Sequence, residues 1–402
     1  MIKQMRCFWL AVLFMPGCAI PGALGSGRES QPIPVVRGTA ALGLIIERAS
    51  GSVLVFDSVT RSALCRVEGL GDLSHASAVF SRDARYGYVF GRDGGLTKVD
   101  LLTCRIDHRI VQGGNAIGGA ISQNGRVIGV SNYEPGGVRF FDADTLAALS
   151  EITTGVSGVK SKTVGLVDAP DQQFAVALYE AGELWLMDAS DPTRPGLRRY
   201  AQAGALPYDA LMSPDGRYFV AGLFGEPGMA LLDLWHPEQG VRRVLDSFDK
   251  GAQKLPVYKM PHLEGCTFAG GRVFVPAVGS HEVLVARAAD FSLEKRIPVL
   301  GQPVFTVARP DGREIWVNFA LPDNGNIQVL DPETGLVTHT LQPGPAVLHM
   351  EFTPKGDEVY VSVRDADVVI VYDTRTKRET ARLPAHSPSG IFLAHRAGRI
   401  GQ

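Results

Sequence analysis

Cysteine is scarce in this chain, five residues among 402, and no Cys-x-x-Cys-His occurs, which excludes covalent attachment of a c-type haem. Cys7 and Cys18 fall in the N-terminal leader. Cys65, Cys104 and Cys266 remain, an odd set with no close pairing, so no disulfide framework is expected. No Cys/His spacing suggests structural zinc. A charge surplus is missing too: 40 basic and 42 acidic side chains give a formal net charge of −2, so there is no general electrostatic reason to bind nucleic acid or anionic lipid. Long apolar runs are also lacking, since the stretch from Phe8 to Phe14 is too short to span a bilayer comfortably.

What is present suits a β-rich globular protein with a sizeable core: 45% hydrophobic residues, 20% charged, and plentiful glycine and proline. The opening MIKQMRCFWLAVLFMPGCAIPGALGSG sets Lys3 and Arg6 before an apolar run and small residues, the pattern of an export signal. Met-Pro-Gly-Cys resembles the lipobox of bacterial lipoproteins, in which the cysteine is acylated and becomes the mature N-terminus. Residues 1–18 are thus read as leader, 19–36 as a Gly/Ser/Pro-rich flexible tether and 37–402 as the folded part. Lipidation of Cys18 and plain secretion both put that part outside the cytoplasm.

Internal repetition is the strongest signal. A Pro/Asp/Gly-type turn, an apolar strand, a polar turn and a second strand ending in Asp recur along the chain, as in SRDARYGYVFGRDGGLTKVD, SPDGRYFVAGLFGEPGMALLD and TPKGDEVYVSVRDADVVIVYD. Eight copies end at Asp57, Asp100, Asp142, Asp188, Asp233, Asp290, Asp331 and Asp373. The steps between them are roughly 41 to 46 residues, with one of about 57, the length of a four-stranded blade. An all-β, eight-bladed β-propeller is expected. Tyr86, Tyr88 and Phe90 would face one blade–blade interface, their neighbours the other. The first copy has no strand ahead of it, so SPSGIFLAHRAGRIG at the C-terminus is expected to complete its sheet and close the ring, removing an exposed edge.

In this register each innermost strand starts, and each second strand ends, at one mouth of the central channel. The inbound positions are His75, Asn115, Lys162, Tyr208, Asp209, His262, Pro303 and His349. The outbound ones are Arg92, Asn132, Tyr133, Tyr179, Glu180, Glu226, His281, Asn318 and Arg364. Such a ring suits a broad, flat, carboxylate-bearing ligand: cations pair with carboxylates, aromatic side chains pack on a π-face, and imidazole binds iron or transfers a proton. Ordinary structural roles compete with this. Arg92 and Arg364 sit in similar turns, R-D-G-G and R-D-A-D, where an arginine bridging blades is equally expected, and a single mouth histidine is more often solvated. Glu180 and Asp209 would ordinarily be exposed loop carboxylates. His108, His236, His339 and His395 fall outside the ring, with surface or inter-blade roles.

The runs GLGDLSHASAVFSRDARYGYVFGRDGGLTKVDLLT and IGGAISQNGRVIGVSNYEPGGVRFFDADTL, with LPYDALMSPDGRYFVAGLF, MPHLEGC and the ending SPSGIFLAHRAGRIG, resemble the d1-haem propeller of cytochrome cd1 nitrite reductases, and most of all the NirF family of d1-haem biosynthesis proteins. The resemblance covers nearly all the chain after the tether. It implies a periplasmic protein with His75 and Arg92 in a d1-haem pocket, Arg92 beside an acidic side chain of the macrocycle. Where the reductases carry the proximal iron-binding histidine this chain has Tyr179 and Glu180. One of their two nitrite-side histidines is replaced by Tyr208-Asp209 and the other corresponds to His262. With those departures and no c-type haem domain, nitrite reduction is not expected.

The reading that follows is a protein that binds a late d1-haem precursor without a covalent bond. Either it modifies the precursor, with His75, Glu180 and Asp209 as acid/base groups and His75 as the iron ligand, or it carries the precursor toward cytochrome cd1 nitrite reductase and other maturation proteins. The expected ligand contacts are His75, Arg92, Asn115, Asn132, Lys162, Tyr179, Tyr208, His262, His349 and Arg364. Self-association through the opposite face of the ring and a protein-binding propeller without cofactor are the remaining alternatives.

Overall fold

A computed structural model describes residues 38–155, 159–246, 248 and 265–401. The leader, the tether, Cys18 and His262 lie outside the described residues. The apolar alternation and turn signals produce eight four-stranded antiparallel sheets, arranged as the eight blades of a propeller. Blades 1 to 8 have as innermost strands Pro388–Leu393, Ser77–Phe80, Asn115–Ile121, Thr163–Ala169, Pro207–Met212, Thr267–Ala269, Pro303–Ala308 and Val347–Phe352. In blade 1 the C-terminal strand Pro388–Leu393 pairs with Leu42–Glu47, as expected, and joins the two ends of the ring.

The repeated residues have local jobs. Each closing aspartate caps the turn after the third strand, as Asp57 does by accepting the amides of Val59 at 2.7 Å and Thr60 at 3.1 Å. At the turn after the innermost strand a serine does the same, with the Tyr218 amide donating to Ser213 Oγ at 2.8 Å. Gly216 takes φ +72 there, a conformation that favours glycine. Tyr88 and Phe90 pack into the interface with blade 3, partly buried Tyr86 beside them.

One expectation fails. Cys65, in the outer strand of blade 1, and Cys104, in the last turn of blade 2, form a disulfide. They are 39 residues apart in sequence, and only the lateral packing of two outer blade edges brings them together. Cys266 is the free cysteine among the described residues.

The ring is sealed at its joint by Glu47, fully buried. Burial pushes its pKa up, but Arg66, Ser52 and the His386 amide outweigh that and hold it below the usual carboxylate range. Its carboxylate accepts from Arg66 at 2.6 and 2.8 Å, Ser52 at 2.7 Å and the His386 amide at 2.9 Å. A carboxylate with every lone pair engaged tolerates burial that an unpaired one would not.

Candidate functional site

The channel mouth owes its lining to a recurrent irregularity. The innermost strands of blades 3, 4, 5, 7 and 8 each slip register against the second strand near their mouth-side end, between Ala116 and Gly118, Val164 and Val167, Pro207 and Ala210, Pro303 and Thr306, and Val347 and Met350. A bulge breaks strict alternation and re-aims side chains. The residues inside these slips include Tyr208, Asp209, Phe305 and His349.

On blades 3 to 5 the mouth is an aromatic wall. Tyr179 stands edge-on to Tyr208 at 5.7 Å and to Phe224 at 6.1 Å, and Tyr208 lies 6.0 Å from Phe224. The hydroxyls of Tyr133 and Tyr208 share a hydrogen bond of 2.5 Å. Burial, then that bond, push the Tyr133 hydroxyl well up. Lys162 Nζ sits 5.2 Å from the Tyr179 ring and pairs with Glu180. Glu180 also accepts the Lys162 amide at 2.7 Å and Ser161 Oγ at 3.2 Å. Burial pushes its pKa up, but Lys162's side chain and amide outweigh this and hold it below the ordinary range. A cleft of about 560 Å³ opens beside it, lined by Tyr133, Glu134, Lys160, Lys162 and Glu180.

On blades 8, 1 and 2 the outbound position is an arginine each time: Arg364, Arg48 and Arg92. Burial first, then the like charge of Arg364, pull the Arg48 pKa down, with Asp72 opposing. Arg48 donates to the Ser74 carbonyl, next to exposed His75. Arg92 lies 5.7 Å from the Tyr133 ring of blade 3, and its amide donates to the Asp72 carbonyl at 2.8 Å. Arg364 is engaged by its neighbour Asp365 at 2.6 and 3.2 Å, a pair within its own turn.

Other expected mouth positions go elsewhere. Asn132 is fully buried and exchanges amide hydrogen bonds with Gln112 at 2.9 and 3.2 Å; it clamps the segment that leads from blade 2 into blade 3 and does not line the mouth. Asn318, likewise buried, donates to the Val347 and Leu348 carbonyls of blade 8 at 3.1 and 3.2 Å. In both the short amide is spent within the protein, by Asn132 on the Gln112 side chain and by Asn318 on backbone carbonyls. Asn115 does stay at the mouth, its Oδ1 buried and without a hydrogen-bond partner among the described residues. Asp209 is buried and accepts the Ala210 amide at 3.0 Å.

His349 lies within the channel wall. Its ring is 5.8 Å from Phe305 and 5.7 Å from Phe392. Burial, then Arg396, hold its pKa down to about 4. Nδ1 lies 3.1 Å from the Ile391 amide and accepts its proton, so the neutral ring carries its own proton on Nε2.

Arg48 and His386 escaped the sequence reading. They are the outbound and inbound residues of blade 1, and the repeat register applied to the closing strand would have found both.

Residues 37–397 match the Cytochrome D1 heme domain, the class of propeller that this fold and mouth define. The chain is 60% identical over 371 residues to Protein NirF of Pseudomonas aeruginosa, covering 92% of this chain and 95% of that one. It is 56% identical over 374 residues to Protein NirF of Stutzerimonas stutzeri, with coverage again of 92% and 95%. Among solved structures it is similar to dihydro-heme d1 dehydrogenase NirN in complex with DHE, at TM-score 0.79 and 27% identity over 91% of this chain and 78% of that one. The chain belongs to the NirF family within the cytochrome D1 heme domain class.

Proposed function

We propose that this chain binds a late d1-haem precursor, of the dihydro-haem d1 type, across the channel mouth and carries it toward cytochrome cd1 nitrite reductase. Family membership supports a role in d1-haem biosynthesis, and the NirN likeness, a complex with DHE, supports a tetrapyrrole as the ligand. The observation that carries the reading is the arc of Arg364, Arg48 and Arg92 adjoining the wall of Tyr133, Tyr179, Tyr208 and Phe224. Guanidinium groups recognise carboxylates and the aromatic wall packs a macrocycle face. The bound group would supply iron, toward which His75 offers an imidazole.

A second reading, that the chain also modifies the precursor, is favoured by Asp209, a buried carboxylate close enough to Tyr133 and Cys266 to influence both. His75, Asp209 and Glu180 are the mouth groups of a type suited to moving a proton. The test supplies the precursor to purified protein and follows its spectrum and mass. A spectral shift at constant mass supports carriage, a mass change supports modification, and an unchanged spectrum with no co-elution sinks both. Residence in the periplasm belongs to the same proposal. The Cys65–Cys104 disulfide supports it, because such bonds persist in oxidising compartments.

A further inference from the structure

After closing blade 1 at Leu393, the chain continues through a short 3-10 turn, Ala394–Gly398, and does not leave the ring. Arg82 of blade 2 donates to the Ala397 carbonyl and, at 3.1 and 2.7 Å, to the Ile121 and Ser122 carbonyls of blade 3. Arg396 forms a two-pronged pair with buried Glu351 of blade 8 at 2.8 and 2.5 Å. The Gly401 amide donates to Asp168 of blade 4 at 2.9 Å. Gly401 lies so close to blade 5 that a Cβ there would stand 2.3 Å from Met212 Cβ. In a closed ring of eight, blades 1 and 5 are opposite, so a segment running from one to the other crosses the channel axis. Its contacts lie at the ends of the innermost strands remote from Tyr133, Tyr208 and Arg92.

We propose that Ala394–Gly401 is a stopper that closes the far end of the channel, so that the mouth opens on a blind cup. Its floor is His349 with Phe305 and Phe392, underlain by Arg396, whose guanidinium lies 5.2 Å from the Phe392 ring. A flat ligand over the mouth then covers a dead-end space, and water and small solutes cannot reach its inner face from behind. This last consequence rests on the tetrapyrrole reading; the closure itself does not.

Two variants test it. One ends at Leu393; the other, Gly401→Val, keeps the segment at full length but cannot seat its tip against Met212, and carries the test if the truncated chain does not fold. In ligand-free protein, hydrogen exchange read by mass spectrometry should accelerate at least tenfold in the innermost strands Ser77–Phe80 and Val347–Phe352, while the third strand of blade 8, Val368–Asp373, keeps its rate. With ferric protoporphyrin IX as the bound probe, cyanide should reach the iron several-fold faster in the variants. Unchanged innermost-strand exchange in a cooperatively folding variant whose tail has become sensitive to carboxypeptidase overturns the stopper. Failure of the porphyrin to bind counts against the tetrapyrrole reading alone, because the exchange measurement still decides the closure.

Discussion

Arg48 and Arg92 hold adjoining positions at the mouth but differ in their surroundings. Arg48 is held by the Ser74 carbonyl and shares its field with Arg364 and Asp72, whereas Arg92 rests against Tyr133 with no ion pair among the described residues. Each charge-assisted bond to a ligand carboxylate in a partly dry site contributes on the order of 1.5–3 kcal/mol. Arg92→Ala should therefore weaken precursor binding roughly tenfold or more, and Arg48→Ala should do the same. Calorimetric titration checks this, and unchanged affinity with a lowered melting temperature would assign both arginines to holding blades together. His75 discriminates chemistry. His75→Ala should leave binding and spectrum intact while d1-haem formation fails if the imidazole moves a proton, and should alter the spectrum of the bound tetrapyrrole if it ligates iron. Active nitrite reductase at the wild-type level in cells carrying the variant would remove His75 from both roles.

Among the secondary elements, blade 1 is fastened twice, by the closing strand with its Glu47 anchor, which joins the two ends of the chain, and by Cys65–Cys104, which ties it to blade 2. By the chain-entropy argument a cross-link closing a 39-residue separation stabilises by roughly 4 kcal/mol. Cys65→Ser should lower the urea midpoint of unfolding accordingly, and the reductant sensitivity of the wild type should vanish in the variant. An unaltered midpoint would show that the ring's joint carries the stability without it. The disulfide and the bulges mark where the linear pattern stops being readable. Turn chemistry and alternation predict each blade, because both act within a few residues. Pairing of Cys65 with Cys104 depends on how two outer edges lie side by side, and the aim of Tyr208 or His349 depends on a register slip that alternation hides.

Over the whole molecule, buried ionisable groups set the response to acid. His349 is held neutral with a pKa of about 4 against 6.5 for the free side chain, so the unfolded chain binds more protons between those values and stability falls as pH drops from 6.5 toward 4. A shift of that size corresponds to roughly 3 kcal/mol. The carboxylates of Glu47 and Glu351 are depressed, so their contribution is complete above the ordinary carboxylate range and is lost as pH falls through it. The melting temperature should begin to decline below pH 6.5 and fall more steeply below pH 4.5. His395 is held down to about 4 as well, by burial first and then Arg399, so His349→Gln should shrink the first limb by about half, and an identical first limb in the variant would take His349 out of it. At the other terminus, Cys18→Ser should release the protein from the membrane fraction without unfolding it. Wild-type protein already soluble in the periplasm would exclude the lipid anchor.

The eight repeats, the closing role of the C-terminal strand and the polar, aromatic character of one mouth are determined by the sequence itself, since they follow from periodicity, turn residues and equivalent repeat positions. Which mouth residues stay open at the mouth and which turn inward was decided by tertiary structure. Asn132 and Asn318 occupy mouth positions in the repeat but spend their amides on the Gln112 side chain and the Val347 carbonyl, Glu180 is engaged by Lys162, and Arg48 enters the mouth only because the two ends of the chain meet in one blade. The Gly401 contact across the ring belongs to the same class: local rules carry no information about what lies opposite, because burial and charge pairing there are settled between residues far apart in sequence.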